Sequence, residues 1–179
     1  NEGGGWFVGR LKAQADDGGF VASSGQAWHW ERDKPIEQLD IGDFGGVADG
    51  VTDSKPAVKR VIDFLYSDYA RLKTNGTKSG GTVSGGMSPY LTVRFGPGVY
   101  YITPGEYNKY GSVAWSDDMK VLNPSGFQAA GGIRFEGCET SFGRLITTRI
   151  ISDKSDSPVF LINHRRFTVR NIVWDGQQT

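Results

Sequence analysis

The 179-residue chain has little of what several common protein classes depend on. It holds a single cysteine, Cys138, so no disulfide can form within it, which suits a reducing compartment or assembly before release. Its two histidines, His29 and His164, are far apart and lack ligand spacing with the cysteine, so we expect no metal site. No apolar run is long enough to span a membrane, and we expect no membrane partner.

The chain also has no excess of charge of either sign, because 20 basic residues balance 20 acidic ones. General nucleic-acid binding uses a basic stripe, so a nucleic-acid partner is not expected. Neither a phosphate-binding glycine loop nor a Gly-x-Ser-x-Gly elbow occurs, and we expect no cofactor. Glycine is abundant instead, with 26 residues and no collagen period.

Residues 1–36 combine glycine with aromatic residues and show no helical period, which predicts short strands broken by turns. The aromatic residues are Trp6, Phe7, Phe20, Trp28 and Trp30. A segment this small cannot bury them in a core of its own. We therefore expect a neck or anchoring segment that packs on a partner or on other copies of the chain in an oligomer. The alternative is that it wraps onto its own downstream fold or onto a different protein.

Residues 54–73 carry apolar side chains at the spacing of one helix face, which predicts an amphipathic helix. The residues of this face are Val58, Val61, Ile62, Leu65, Tyr69 and Leu72. Asp53 or Ser54 can cap its free N–H groups, and Pro56 is tolerated in the first turn. Gly76 is suited to ending it.

Short strands follow a Gly/Ser-rich segment, 74–90, that is predicted to be a loop. The predicted strands are 91–95, 99–103, 133–137, 148–151, 159–162 and 167–173, with an irregular segment at 104–131. No helical period separates them, which excludes βαβ units. Short strands at close spacing indicate a solenoid or a β-sandwich. The pattern is still present at Asp175 and Gly176, so we expect the coils to continue beyond residue 179.

Residues 41–54 read Ile-Gly-Asp-Phe-Gly-Gly-Val-Ala-Asp-Gly-Val-Thr-Asp-Ser. This stretch resembles a motif of the pectate-lyase-like right-handed β-helix superfamily, found in phage tailspikes, polysaccharide depolymerases and polygalacturonase-like enzymes. There a D-F-G-A-x-G-D-G-x-T-D-D motif precedes a capping helix, a strand with a Pro/Gly/Tyr turn, and the solenoid. The order here is the same over about residues 40–176, although Gly46 replaces the usual Ala and Ser54 the second Asp.

The resemblance implies a mainly β fold: a single-stranded right-handed parallel β-helix, which would span residues 37–179 and be entered through a capping helix. It implies the N-terminal part of a homotrimeric tailspike on the phage virion. That protein would bind other tail or baseplate proteins and degrade capsular polysaccharide or O-antigen at the host surface. Two alternatives stay open: a non-catalytic structural or adhesive virion protein, and a secreted bacterial polysaccharide lyase or polygalacturonase-like enzyme.

The motif residues themselves are predicted to be structural. Gly supplies positive φ in tight turns, and Asp accepts hydrogen bonds from its own backbone there. The residues to which this role is assigned are Asp43, Phe44, Gly45, Asp49, Gly50, Thr52, Asp53, Pro97, Gly98 and Tyr100.

Polysaccharide hydrolases use a pair of carboxylates, and the sequence shows no such pair. Glu136 is the best single candidate: alternation puts it on the outer face of its strand beside Arg134, where an ordinary surface role is the alternative. Asp175 is either a turn residue or a carboxylate in a groove. This part of the chain alone is predicted to be inactive.

Carbohydrate contacts have two further candidates. Tyr107, Tyr110 and Trp115 could stack on sugar rings, or pack the long loop on the solenoid or a neighbouring subunit. Arg165, Arg166 and Arg170 form a basic spot that is either a solvated turn or a contact for an acidic glycan.

Overall fold

The computed structural model of the chain describes residues 5–73, 76–79, 82–85, 91–104, 133–140, 145–153 and 167–176. The described elements are β1 Phe7–Leu11, β2 Val21–Ser23, β3 Trp28–Arg32, β4 Gln38–Asp40, a 3₁₀ helix Ile41–Phe44, β5 Asp49–Asp53, α1 Lys55–Tyr66, α2 Asp68–Lys73, β6 Gly76–Ser79, β7 Thr82–Gly85, β8 Leu91–Arg94, β9 Gly98–Tyr101, β10 Ile133–Glu136, β11 Thr148–Ser152, β12 Phe167–Arg170 and β13 Ile172–Gly176. The predicted strand at 159–162 lies outside the described residues.

Two four-stranded parallel sheets form the body of the fold. The first has the strand order β12-β10-β8-β4 and the second β13-β11-β9-β5, so the chain alternates between the sheets as it advances. Each passage through both sheets adds one coil beside the preceding one. The prediction of a mainly β fold of stacked parallel strands is therefore confirmed, and a β-sandwich of antiparallel strands is excluded for the described residues.

The core lies between the two sheets, where alternation sends every second side chain inward. In the first sheet Leu39, Val93, Phe135 and Val169 occupy one register position in successive coils. The first three are buried, and Val169 packs against them. Phe95 packs edge-on to Tyr100 with ring centroids 5.3 Å apart, so the turn between β8 and β9 also contributes to the core.

The predicted helix at 54–73 is two helices, because the chain breaks at Ser67. This residue has an extended ψ of 149°, and its N–H donates to the Phe64 carbonyl as α1 ends. Its hydroxyl then accepts a hydrogen bond from the Ala70 N–H, 3.1 Å away, inside α2. Ser67 thus ends one helix and caps the next. Its side-chain hydrogen bond to the backbone competes with a continuous helix, and helical periodicity does not reveal this competition.

The start of α1 is close to the prediction. Pro56 lies in the first turn, and the carboxylate of Asp53 accepts a hydrogen bond from the Lys55 N–H at 2.9 Å. The Ser54 hydroxyl makes no cap and instead bonds to Val47, donating to its carbonyl at 3.1 Å. No helix in the described residues is long and apolar enough to cross a membrane.

Two further segments differ from their predictions. The predicted loop at 74–90 contains the antiparallel pair β6 and β7, whose threonines and valine favour a strand despite the flanking glycines. The predicted strand at 167–173 is divided into β12 and β13 by Asn171. Its φ of 54° turns the chain from the first sheet to the second, and Asn tolerates this conformation better than most residues.

The N-terminal strands form an antiparallel sheet of order β1-β3-β2 that packs on the α1 side of the core. Phe20 is only 2% exposed, and its ring lies 5.1 Å from that of Phe64 in α1. The expectation that other copies must bury these aromatic residues is therefore wrong for Phe20. Trp6 is 86% exposed and Trp30 is partly exposed, so both remain open to solvent within one chain.

Candidate functional site

The outer face of the first parallel sheet carries a line of alternating charges that we call the charged ladder: Asp40, Arg94, Glu136 and Arg170. These residues share one register position in β4, β8, β10 and β12. Their inward neighbours Val93 and Phe135 are buried, so strand alternation places the ladder on the solvent side. Adjacent parallel strands are about 4.8 Å apart, which sets the spacing of the ladder along the coil axis.

The basic members of the ladder are available to a ligand. Arg94 and Arg170 are exposed, and Glu136 between them is half-buried. In the described part of the chain, none of these three side chains takes part in an ion pair. Asp40 is different, since its Oδ1 accepts a hydrogen bond from the Gly42 N–H at 2.9 Å and caps the 3₁₀ helix.

A second outward line runs beside the ladder, two residues earlier on each strand. It consists of Gln38, Thr92, Arg134 and Thr168. Thr92, Arg134 and Thr168 are half-buried. The two lines together give this face three guanidinium groups, two hydroxyls and an amide, which are donors and acceptors suited to sugar hydroxyls and carboxylates.

Glu136 therefore lies on the outer face beside Arg134, as alternation predicts, and among the described residues no second carboxylate occupies the neighbouring ladder positions. The other acidic member of the ladder is Asp40, and Arg94 lies between the two in register. The two carboxylates of a glycoside hydrolase must flank the glycosidic bond, and in an inverting enzyme they must also leave room for a water molecule. A guanidinium at the intervening position argues against such a pair here.

Asp175 lies in β13, on the second sheet, and the turn interpretation is wrong. Its carboxylate forms an ion pair with the exposed guanidinium of Arg149 on the neighbouring strand β11. Glu136 and Asp175 thus belong to different sheets, and the structure does not bring the two candidates together. Tyr107, Tyr110, Trp115, Arg165 and Arg166 lie outside the described residues.

The turn residues of the 41–54 motif bond to their own backbone. Asp49 accepts hydrogen bonds from the Val51 and Thr52 N–H groups at 2.8 and 2.7 Å and from the Thr52 hydroxyl at 2.7 Å. The Thr52 hydroxyl and these N–H groups hold the pKa of Asp49 below its ordinary value. Gly45 and Gly50 have φ of 86° and 74°, a region that favours glycine.

The remaining motif residues make packing or long-range contacts. Phe44 is fully buried, and Asp43 binds both Arg32, at 3.2 Å, and Lys34. Gly98 follows Pro97 with a φ of 126°. A Cβ on Gly98 would lie 2.8 Å from Ala48, so the close approach of these two segments requires glycine.

A cleft of about 970 Å³ separates the N-terminal sheet from the motif, and sequence reasoning missed it. Its basic side chains are already engaged. Arg60 donates to the Phe44 carbonyl at 2.9 and 2.6 Å, and Arg32 donates to the Gly19 carbonyl at 3.1 Å and pairs with Asp43. These arginines hold the cleft walls together, and no sequence pattern indicates which carbonyls they reach.

A polar cluster at β3 was also missed. Burial tends to raise the pKa of Glu31, but hydrogen bonds from Tyr69 and Lys73 outweigh burial and hold the pKa below its ordinary value. Burial and the contact with Glu31 raise the pKa of Tyr69. The cluster ties β3 to α2. In the described ranges, no group of three or more His, Cys, Asp or Glu side chains could hold a metal ion.

The chain is similar to two bacterial proteins with names related to polysaccharides. It is 30% identical over 177 residues to the amylovoran biosynthesis protein AmsF of Erwinia amylovora, covering 98% of this chain and 19% of AmsF. It also matches the structure of WceF from Pantoea stewartii, described as a glycan biofilm modifying enzyme with a bacteriophage tailspike-like parallel β-helix fold. That match has a TM-score of 0.61 and 26% identity, covering 97% of this chain and 20% of WceF.

The chain thus spans about a fifth of the length of these relatives. A weaker structural match is ORF18 of Geobacillus virus E2, with a TM-score of 0.42 and 16% identity, covering 94% of this chain and 30% of that one. No protein-family model matches the chain. The first structural match agrees with the two parallel sheets described above and defines the fold as that of a parallel β-helix.

Proposed function

We propose that these residues belong to a bacterial protein that binds and modifies an exopolysaccharide. The observation that carries the proposal is similarity along nearly the whole chain to a protein named for amylovoran biosynthesis. The resemblance of the coil to the glycan-modifying WceF supports it. These comparisons favour the bacterial polysaccharide enzyme, an alternative from the sequence, over the phage tailspike.

In this proposal the described strands are the first coils of a right-handed β-helix. β4 and β5 are the outermost strands of their sheets, and α1 follows β5 directly. The buried side chains of α1 join the same core as Leu39 and Phe44. We propose that α1 caps this end of the coil, where an unpaired edge would otherwise be open to other chains.

The catalytic groups are proposed to lie on other coils. The two candidate carboxylates, Glu136 and Asp175, lie on different sheets, and Asp175 is held in an ion pair with Arg149. A hydrolase needs two carboxylates, and a lyase needs a base and a cation that neutralises a uronate. Residues 1–179 alone are therefore expected to be inactive.

The test uses the full-length protein that contains residues 1–179, incubated with purified amylovoran, bacterial capsule and O-antigen. We expect new reducing ends for a hydrolase, or the ultraviolet absorbance of unsaturated uronates for a lyase. Residues 1–179 assayed in parallel should release nothing. Failure of the full-length protein to bind or change any of these polymers would contradict the proposal. The neighbouring genes separate the bacterial role from the phage role. Genes for exopolysaccharide synthesis would support the bacterial role, and genes for phage tail proteins would support the phage role.

A homotrimer is part of the proposal and rests on exposed apolar side chains of the N-terminal sheet. Trp6 and Leu11 are almost fully exposed, and Trp30 is partly exposed; the strand register places Leu11 and Trp30 on one face of this small sheet. Patches of this kind mark interfaces in soluble proteins. The mass of the intact protein in solution tests this: a monomer at micromolar concentration would exclude the trimer.

A further inference from the structure

We propose that the outer face of the first parallel sheet binds an acidic glycan along the coil axis, with Arg94 and Arg170 as the principal anion contacts. The inference deepens the proposed function and rests on it for the choice of a glycan.

The first step is the availability of the two guanidinium groups. Arg94 and Arg170 are both exposed, and neither has an ion pair within the described ranges, although Glu136 lies between them in register. An arginine fork binds a carboxylate through two parallel hydrogen bonds. Two unengaged forks on one face are suited to a ligand that carries more than one carboxylate.

The second step is spacing. Arg94 and Arg170 are two strands apart, which places their backbones roughly 9.6 Å apart along the coil axis. The parallel register keeps them on one straight line. A linear polymer with repeated carboxylates can engage both forks at once, and the second contact then forms at a high effective concentration.

The third step is the chemistry beside the ladder. The parallel line supplies the two hydroxyls of Thr92 and Thr168, each two residues earlier on its strand than the ladder residue. Hydroxyl and guanidinium groups bind sugar hydroxyls as well as carboxylates. This mixture favours an acidic polysaccharide over a small inorganic anion, which needs only charge.

Glu136 lowers the affinity of this face for anions. Its carboxylate lies between two arginines and repels an anionic ligand that approaches them. Substituting Glu136 with Gln should therefore tighten binding of a polyanion, whereas a role as a general base predicts loss of activity instead.

The experiment measures binding of polygalacturonate to the full-length protein, with neutral dextran as the reference polymer, over a range of salt concentrations. The double variant Arg94→Ala/Arg170→Ala should bind polygalacturonate at least about tenfold more weakly at low salt, because two charge-assisted contacts are lost. The dependence of binding on salt should become shallower by about one unit for each contact removed. Arg94→Lys/Arg170→Lys should retain part of the affinity, and Glu136→Gln should increase it.

The matched control is Lys59→Ala/Arg149→Ala, which removes two positive charges elsewhere. Lys59 pairs with Asp63 on α1, and Arg149 pairs with Asp175 on the second sheet. This control should bind polygalacturonate like the wild type. An equal loss in the control, equal binding of dextran, or unchanged binding by the Arg94/Arg170 variant would each overturn the inference.

The polymer assay described above separates the two proposals. Degradation of an exopolysaccharide, combined with unchanged polygalacturonate binding by Arg94→Ala/Arg170→Ala, overturns the inference and leaves the proposed function intact. Arginine-dependent binding without action on any exopolysaccharide supports the inference and counts against the enzymatic part of the proposed function.

Discussion

Asp53 and Thr103, fifty residues apart in sequence, are joined by two hydrogen bonds. The Thr103 N–H donates to Oδ1 of Asp53 at 3.2 Å, and the Thr103 hydroxyl donates to Oδ2 at 2.8 Å. Oδ1 also accepts from the Lys55 N–H at the start of α1. One carboxylate thus fixes the end of β5, the first turn of α1 and the exit from β9 to one another.

Substitution of Asp53 with Ala should lower the free energy of unfolding by about 1–3 kcal/mol, because three donors lose their acceptor. Urea denaturation at neutral pH measures the change. Asp63→Ala is the matched control, since among the described residues the Asp63 carboxylate makes only an exposed pair with Lys59 and its loss should change stability by less than about 0.5 kcal/mol. Equal stability of the two variants would show that Asp53 does not hold these elements together.

Substitution of Phe20 with Ala should cost about 3–5 kcal/mol in the free energy of unfolding, the usual range for a buried phenylalanine. Trp6→Ala is the control, because the exposed Trp6 side chain should contribute little within one chain. Thermal or urea unfolding tests both. A near-neutral effect of Phe20→Ala would show that the N-terminal sheet is not part of the core.

The periodic parts of the fold could be predicted from sequence because burial imposes the period. Val93 and Phe135 alternate with the outward Arg94 and Glu136, so the strands and the face of Glu136 follow from the pattern. Helix α1 is predicted for the same reason. The 41–54 resemblance supplied the order of the elements, which periodicity alone does not specify.

The rest depends on contacts between residues distant in sequence. The position of Asp175 in a strand follows from pairing with β11, while a following glycine favours a turn locally. The burial of Phe20 against Phe64 joins residues 44 positions apart. The charged ladder becomes visible only when the register aligns Arg94, Glu136 and Arg170, because each is an ordinary charged residue in its own strand.

Substitution of Gly137 with Ala should destabilise the fold by about 1–3 kcal/mol through overpacking. A Cβ at this position would lie 2.1 Å from the Asn171 carbonyl oxygen and 2.7 Å from the Thr148 side chain, so neighbouring coils would have to separate. The Gly137 N–H also donates to the Arg170 carbonyl at 2.9 Å. Gly176→Ala is the control, since nothing lies within 4 Å of its Cβ position. Urea unfolding that is unchanged by Gly137→Ala would contradict the close packing of these coils.

Glu31 should stabilise the fold in a pH-dependent way. Its pKa lies below the ordinary 4.5 in the folded state, so the folded chain binds fewer protons at this group than the unfolded chain. The stabilisation is therefore complete above about pH 4.5 and is lost as the pH falls through the folded-state pKa. The stability difference between wild type and Glu31→Gln should be constant near neutral pH and shrink below about pH 4.5. A difference that grows towards acid would contradict the ion pair with Lys73.

The hydroxyl of Thr148 is fully buried where two coils meet, and the last prediction concerns its removal. It donates to the Gly96 carbonyl at 2.9 Å and lies 3.2 Å from the Phe95 carbonyl, while accepting from the Cys138 N–H at 2.8 Å. Thr148→Val keeps the shape of the side chain but removes the hydroxyl, so the Cys138 N–H and the Gly96 carbonyl lose this partner. We expect a loss of about 1–3 kcal/mol in the free energy of unfolding.

The control for Thr148 is its neighbour, Thr147→Val. The Thr147 hydroxyl donates to the Cys138 carbonyl at 3.2 Å, but that carbonyl also accepts from the Thr147 N–H at 2.8 Å and keeps that bond in the variant. The cost at Thr147 should therefore be clearly smaller than the cost at Thr148. Urea unfolding of both variants decides: equal or reversed costs would mean that the buried hydroxyl of Thr148 does not link the turn after β8 to the start of β11.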